Sequence, residues 1–363
     1  MKKVCFQIPT INAGGIETYL LRFIKYANNR FEITVLVRNS LNGELLNDYN
    51  IPGVKLVSLP LKYGNINSIL KYYQFIKLEK FDIICDFTGN FSGIPMLISK
   101  ILKVNKRVTF YRSGSNHFGN SFLKQIYNYV MNKFVYLFST DILANSNAGL
   151  DFFYSNRNKN DIRFKVIQNG FNLTDFDQKI DTIQLKKKLN IPNDAYIIGH
   201  SGRNNKAKNH DFMLKVAQKI ISIDDNIYFV FCGKDTEHLN DKIIDLKIEK
   251  NVRLLGYRKD VLDIISCANL FYFPSLTEGQ PNALIEAMIM GLPFVASDIE
   301  PIKECVQPEL HEQLVNPYNL DDNVQLIFKT MKIKPNELNI AQWARNNFSA
   351  EKRFEEFVQV LEK

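Results

Sequence analysis

No stretch of about 18 consecutive apolar residues occurs in the 363-residue chain, so its sequence offers no membrane-spanning helix. Cysteine is scarce: Cys5, Cys85, Cys232, Cys267 and Cys305 stand far apart, with no C-x-x-C pair and no Cys/His cluster at zinc spacing. That spacing argues for a reducing compartment and against a structural metal. The opening MKKVCFQIPTINAGG has the two lysines of a secretory leader, but its apolar run stops after about six residues. A G-x-G-x-x-G fingerprint, low-complexity tracts, short-period repeats and nucleic-acid-recognition motifs are all missing. These absences weigh against NAD enzymes and nucleic-acid binders.

What is present is an ordinary globular composition, 45% hydrophobic and 23% charged, at a length suited to two domains. The net charge of +8 is unevenly spread. Met1 to Asp175 holds 22 Lys and Arg against 11 Asp and Glu, whereas the remainder holds 24 against 27. A basic first half suits an anionic membrane surface, an anionic acceptor, or solubility alone.

Short β-branched or aromatic runs alternate with amphipathic segments, the pattern of parallel sheets covered by helices. VCFQI, ITVLV, VKLVSL, FDIICDF, RVTFY, DILAN and KVIQN are the strand candidates of the first half. From about Ile191 the pattern restarts with YIIGHSG, IYFVFCG, VRLLGY, NLFYFPS and PFVAS. Two α/β domains are expected, residues 1–175 and 176–348, with a hinge in the polar stretch from about Phe171 to Asn190. The closing SAEKRFEEFVQVLEK, residues 349–363, reads as an amphipathic helix capped by Ser349 that can pack back onto the first domain.

Chemistry gathers in a few loops. In SLTEGQPNALIEAMIMGLPF, a strand feeds a polar loop carrying Glu278; Pro281 suits the first turn of a helix, and Gly291 with Pro293 ends it after about ten residues. A loop at the C-terminal end of such a strand, before a helix N-terminus, is where open α/β sheets bind phosphate-bearing ligands. Asn282 and Glu286 are four apart and share a helix face. Glu286, set among Ala, Leu, Ile and Met, calls for a partner, either within the protein or in the vicinal hydroxyls of a ribose. In IIGHSGRNNKAKNHDF, Arg203 and Lys208 lie five apart in a loop leaving a strand and can meet a departing diphosphate, although basic loop residues are also commonly just solvated. His210 reads as a loop residue. Gly14 and Gly15 in PTINAGGIETYLLRFIKYA stand between a strand and a helix, where they let backbone approach a ligand closely or simply make a tight turn. In RVTFYRSGSNHFGNSF, Arg112 directly follows a strand and His117 lies five further on.

With its Pro-Ser lead, Glu-Gly, second Glu and Gly-x-Pro exit, PSLTEGQPNALIEAMIMGLPFVASD resembles the E-x7-E segment of retaining glycosyltransferases of family 4. That resemblance implies the GT-B fold: α/β, with two Rossmann-like domains and a donor/acceptor cleft between them. It implies that Glu278 with Gly279, Gln280, Pro281, Asn282, Ala283 and Leu284 faces the donor sugar and that Glu286 holds the ribose. Arg203 and Lys208 match the family's Gly-Arg…Lys element, and Gly14 and Gly15 its glycine loop, which reaches the donor phosphates. Gly256 and Tyr257 stand where the family docks the base, a place an ordinary strand end explains equally well. Many members carry a His directly after the strand that here precedes Arg112, so Arg112 and His117 compete for the acceptor-side role. Asp175-Phe176-Asp177 mimics a metal-binding Asp-x-Asp, but it follows VIQNGFNL, which resembles the family's interdomain linker.

The resemblance therefore implies a retaining hexosyltransferase that takes a nucleotide diphosphate sugar, most simply a UDP-sugar, to a hydroxyl of a glycan or lipid-linked glycan. No metal and no cofactor are expected. A cytoplasmic location is expected, with peripheral contact at the inner face of the cell membrane through the basic first domain and no nucleic-acid partner. A GT-B nucleotide-sugar epimerase and a catalytically silent donor-binding subunit are the alternatives.

Overall fold

Strands hydrophobic on both faces dictate parallel sheets covered on both sides, and the computed structural model shows two of them. It describes residues 1–62, 64–112, 122–178, 180–333 and 339–363. The first sheet comprises β1 (Lys2–Ile8), β2 (Phe31–Val37), β3 (Val54–Ser58), β4 (Ile83–Asp86), β5 (Lys106–Tyr111), β6 (Asp141–Ala144) and β7 (Phe164–Val166), in the order β3-β2-β1-β4-β5-β6-β7. The second comprises β8 (Tyr196–Ser201), β9 (Ile227–Cys232), β10 (Val252–Leu254), β11 (Leu270–Phe273), β12 (Phe294–Ser297) and β13 (Leu314–Val315), in the order β10-β9-β8-β11-β12-β13. Their pairings are parallel throughout.

The chain divides into two compact units, Met1–Phe171 with Ala350–Lys363, and Asn172–Ser349. Both are Rossmann-like. In the first, Val4, Phe6 and Ile8 of β1 face one core while Cys5 faces another, as the two-residue period of a strand requires. The terminal helix Ala350–Glu362 belongs to this unit because its apolar stripe closes the first core. Phe357 lies 4.6 Å from Phe23, and Phe354 meets Tyr19 edge-on at 5.6 Å. Burying two such rings contributes about 2–3 kcal/mol each.

In the second unit, Ile198, Phe229 and Tyr272 face the helix His210–Ile223, whereas Ile197, Tyr228 and Val230 face the opposite side. Two features depart from the sequence reading. His210 is the first residue of that helix and is buried, not a loop residue, because Asn209 takes the left-handed conformation just before it. The short β13 has no counterpart among the expected strands, since two residues carry no periodic signal.

Candidate active site

In each sheet the strand order reverses once, between β8 and β11 in the second unit and between β1 and β4 in the first. Loops leaving neighbouring strands diverge at such a point and open a crevice at their C-terminal ends. The loops that flank it in the second unit carry Arg203 and Lys208, after β8, and Glu278 to Glu286, after β11.

Those two loops are tied together. The Leu276 N–H donates to the Ala207 carbonyl at 2.7 Å, and Asn209 Nδ2 donates to the Pro274 carbonyl at 3.2 Å. Across this seam Lys208 Nζ meets Glu278 Oε1 at 2.6 Å, with only 19% and 10% of the two side chains exposed. Lys208 Nζ also sits 4.5 Å above the Phe273 ring. Asn205 fixes the Lys208 backbone by accepting its N–H at 3.1 Å, so an Asn three residues ahead sets the angle at which the lysine leaves the loop. Asn205 and Phe273 were not among the expected site residues; the Asn-x-x-Lys spacing was the available signal. Arg203 is exposed in the same loop, whose backbone is pinned on either side by Gly202 N–H to the Cys232 carbonyl at 2.8 Å and Asn204 N–H to the Lys234 carbonyl at 2.9 Å.

Pro281 occupies the cap position, and the helix after it runs Asn282–Ile289, shorter than the expected ten residues. It ends where Gly291 adopts φ of +79°, a backbone state that a side chain would strain. Leu284, Ile285, Ala287, Met288 and Ile289 enter the core, leaving Asn282, Ala283 and Glu286 half-buried on the other side. Glu286 borders a narrow packing gap, too small for a water molecule, with Ser201, Val261, Ala283 and Met290. Gly279 is half-buried, Gln280 is buried, and Tyr257 is 44% exposed beyond β10, two strands along the same edge from β8.

Beneath the Lys208 loop lies a pair of buried histidines with ring centres 5.0 Å apart. His200 Nδ1 pairs with the Tyr272 carbonyl at 2.9 Å and is therefore the protonated nitrogen of a neutral ring. Burial, with the neighbouring His210, pushes its pKa far below the usual value; burial and the Lys208 charge push His210 down to about 4.

In the first unit, Gly14 precedes the helix Gly15–Ala27 in extended conformation without a side-chain cap. A Cβ on Gly14 would stand 2.6 Å from Glu17 Oε2, so a side chain there would push that carboxylate aside. Glu17 is itself buried and accepts from the Thr10 hydroxyl at 2.7 Å, which steadies the loop. At the reversal between β1 and β4, Arg38 ion-pairs with fully buried Asp86 and donates to Gln7 Oε1 at 3.1 Å, the Thr88 hydroxyl at 2.7 Å and the Phe91 carbonyl at 2.9 Å. No single stretch of sequence announces this network, because its members come from three strand ends.

Arg112 follows β5 directly, its guanidinium stacked 3.6 Å above the Tyr19 ring and donating to Asn169 Oδ1 at 2.5 Å. His117 lies outside the described residues. In the Asp-x-Asp look-alike, Asp175 accepts from Asn172 at 3.0 Å, and Asp177 pairs with Arg345 at 2.8 Å. Among the described residues, Asp235, Glu237 and His238 bring three potential metal-binding atoms within 4.8 Å of one another. No described helix is long and apolar enough to cross a membrane.

Residues 13–175 match the family described as Glycosyltransferase Family 4, and residues 181–347 match Glycosyl transferases group 1. The chain is a glycosyltransferase of the GT-B fold assembled from these two family domains. It is 26% identical over 337 residues to the capsular polysaccharide biosynthesis glycosyltransferase CapH of Staphylococcus aureus, spanning 90% of this chain and 87% of CapH. It is 25% identical to an Escherichia coli enzyme named UDP-Gal:alpha-D-GlcNAc-diphosphoundecaprenol alpha-1,3-galactosyltransferase, over 89% of this chain and 86% of that one. The crystal structure of Anabaena HepE in complex with UDP-glucose superposes with a TM-score of 0.82 at 20% identity, covering 100% of both chains.

Proposed function

We propose that the protein transfers a hexosyl unit from a UDP-sugar to a hydroxyl of a glycan or lipid-linked glycan acceptor, with retention of configuration and without a divalent metal. One observation carries this reading: the Lys208–Glu278 contact sets a cation and a carboxylate side by side at the sheet's reversal point, where a diphosphate and its sugar need opposite charges. Lys208 and exposed Arg203 meet the negative charge that grows on the diphosphate as the glycosidic bond breaks, and Lys208, held beforehand by Glu278 and Phe273, needs little reorganisation. Glu278, with the backbone from Gly279 to Leu284, orients the sugar. Glu286 accepts from the ribose hydroxyls. The acceptor oxygen attacks C1 as the C1–O bond to phosphate breaks, and its proton passes to the departing phosphate oxygen, so no carboxylate base is required.

A lipid-linked acceptor is supported by the acceptor in the Escherichia coli relative's name and by the helix Phe122–Phe138. That helix turns Phe122, Ile126, Tyr129 and Leu137 to solvent at helical spacing and carries Lys124 and Lys133 with no acid. An exposed apolar stripe flanked only by cations suits an anionic lipid surface.

Incubation with labelled UDP-sugars tests the reading. Slow UDP release supports a transferase, a new free sugar epimer would show an epimerase, and binding without turnover a silent subunit. With an acceptor, loss of activity in EDTA restored by Mn²⁺ or Mg²⁺, or a product of opposite anomeric configuration by proton NMR, would remove the metal-independent retaining mechanism.

A further inference from the structure

The backbone around Arg203 is held from outside its own loop. Gly202 and Asn204, on either side of the arginine, both fasten it to the neighbouring loop after β9. The Gly202 N–H donates to the Cys232 carbonyl at 2.8 Å, and Asn204 grips two successive carbonyls, its N–H donating to Lys234 at 2.9 Å and its Nδ2 to Asp235 at 3.1 Å. Gly233 makes this approach possible. At its φ of +149° a Cβ would stand 2.1 Å from the Gly202 carbonyl oxygen, so no side chain fits there.

The same β9 loop also holds the loop after β10. The Gly233 N–H donates to the Gly256 carbonyl at 2.8 Å. The hydroxyl of fully buried Thr236 accepts the Gly256 N–H at 3.0 Å while donating to the Gly233 carbonyl at 2.9 Å. Both main-chain groups of Gly256 are thus engaged, and with its left-handed φ of +62° they fix the direction in which the chain carries Tyr257 away from β10. Because β8, β9 and β10 are neighbours in the sheet, their three loops form one laced rim, with Arg203 at one end and the exposed Tyr257 ring at the other. Neighbouring strands lie about 4.8 Å apart, so two strand spacings separate the ends by about 10 Å. A bare phosphate cannot touch both, whereas a nucleoside diphosphate carries an anionic end and a flat base that stacks on an aromatic ring.

We propose that Asn204 and Thr236 are positioning residues for a nucleoside diphosphate: Asn204 sets Arg203 toward the phosphates, and Thr236 sets Gly256 and Tyr257 toward the base. The β9 loop then fixes the spacing between the two ends of the ligand. The assignment of that ligand rests on the donor reading given above.

Calorimetric titration of UDP into single and paired variants tests this. Thr236→Val keeps the side-chain shape but strands the Gly256 N–H, and UDP affinity falls about tenfold; Thr236→Ser, which keeps the hydroxyl, restores it. Asn204→Ala lowers the affinity several-fold. In a Tyr257→Ala background Thr236→Val brings no further loss, and in an Arg203→Ala background neither does Asn204→Ala, because a positioning residue acts through the group it positions. A merely structural role would carry its full loss into both backgrounds, and that result would overturn the proposal. Unchanged UDP affinity in folded Thr236→Val and Asn204→Ala would overturn it too, while leaving the donor reading intact. Should Thr236→Val not fold, Asn204→Ala with and without Arg203→Ala decides alone. Absence of UDP binding to the parent protein would remove the donor reading and the proposal with it.

Discussion

Lys208→Met is the perturbation whose consequence the structure defines most closely. The substitution keeps the unbranched stem but removes the charge that faces Glu278 at 2.6 Å and Phe273 at 4.5 Å. Stranding one member of a buried pair costs about 3–5 kcal/mol, and the fifth of Lys208 that remains in water reduces this to about 2–3. Loss of the cation over the Phe273 ring adds about 0.5–1 kcal/mol. A total near 3 kcal/mol lowers the melting temperature of a unit of this size by about 6–12 °C. Glu278→Gln keeps an acceptor and leaves the lysine a route to solvent, so its cost is about 1–2 kcal/mol. The double variant should cost less than the two singles together, by about 1–2 kcal/mol, because the stranded carboxylate is gone. Scanning calorimetry of the four proteins measures each value. Additive costs, or a Lys208→Met penalty within about 0.5 kcal/mol, would show that the pair is solvated and not a preformed part of the site.

Glu286→Gln should weaken UDP binding by about 1.5–3 kcal/mol in calorimetry with the melting temperature held, and unchanged affinity would remove the ribose assignment. Stability should also fall on acidification: His210, held down to about 4, stays neutral in the fold while the unfolded chain takes up a proton near pH 6.5, so stability present above that pH is lost as pH drops toward 4. His210 alone accounts for about 3 kcal/mol, readable as urea midpoints at pH 7, 6 and 5, and His210→Gln should lessen the slope, with buried His200 supplying the remainder of the same sign. Asp86, whose pKa burial raises, gives the opposite slope in acid and cannot be its source. Phe122→Ser/Tyr129→Ser should reduce co-sedimentation with phosphatidylglycerol vesicles several-fold while leaving UDP affinity unchanged, and equal co-sedimentation would remove the helix from membrane contact.

Every expected strand occurs because a parallel sheet buried on both faces writes itself as continuous β-branched and aromatic runs. VCFQI and IYFVFC could hardly be anything else. The second site loop was legible for a different reason: the Glu278 to Glu286 segment needs a turn, a cap, a helix face and a glycine exit in fixed order, and each leaves a residue-type signature. The Lys208–Glu278 contact was not legible, because residues 70 apart meet only through the β8–β11 pairing. For the same reason Arg38, Gln7 and Asp86 gave no local sign, although they meet at the reversal of the first sheet. His210 was misread because the left-handed Asn209 starts the helix earlier than apolar periodicity shows.

Arg38 and Arg112 have the same chemistry and comparable surroundings, each at a strand end of one sheet, yet they carry different implications. Arg38 is closed by a carboxylate, a carbonyl, a hydroxyl and an amide from its own chain, so its charge is consumed in joining β2, β4 and the loop after β4. Folding alone accounts for it. Arg112 is anchored by one amide and an aromatic face that fix its plane without neutralising it. An aromatic ring orients a guanidinium while contributing only about 0.5–2 kcal/mol, well short of the several kcal/mol that desolvating a charge costs. The remainder of that cost is met by the stability of the surrounding fold, so the Tyr19 ring acts at Arg112 as an orienting support and not as a counter-charge.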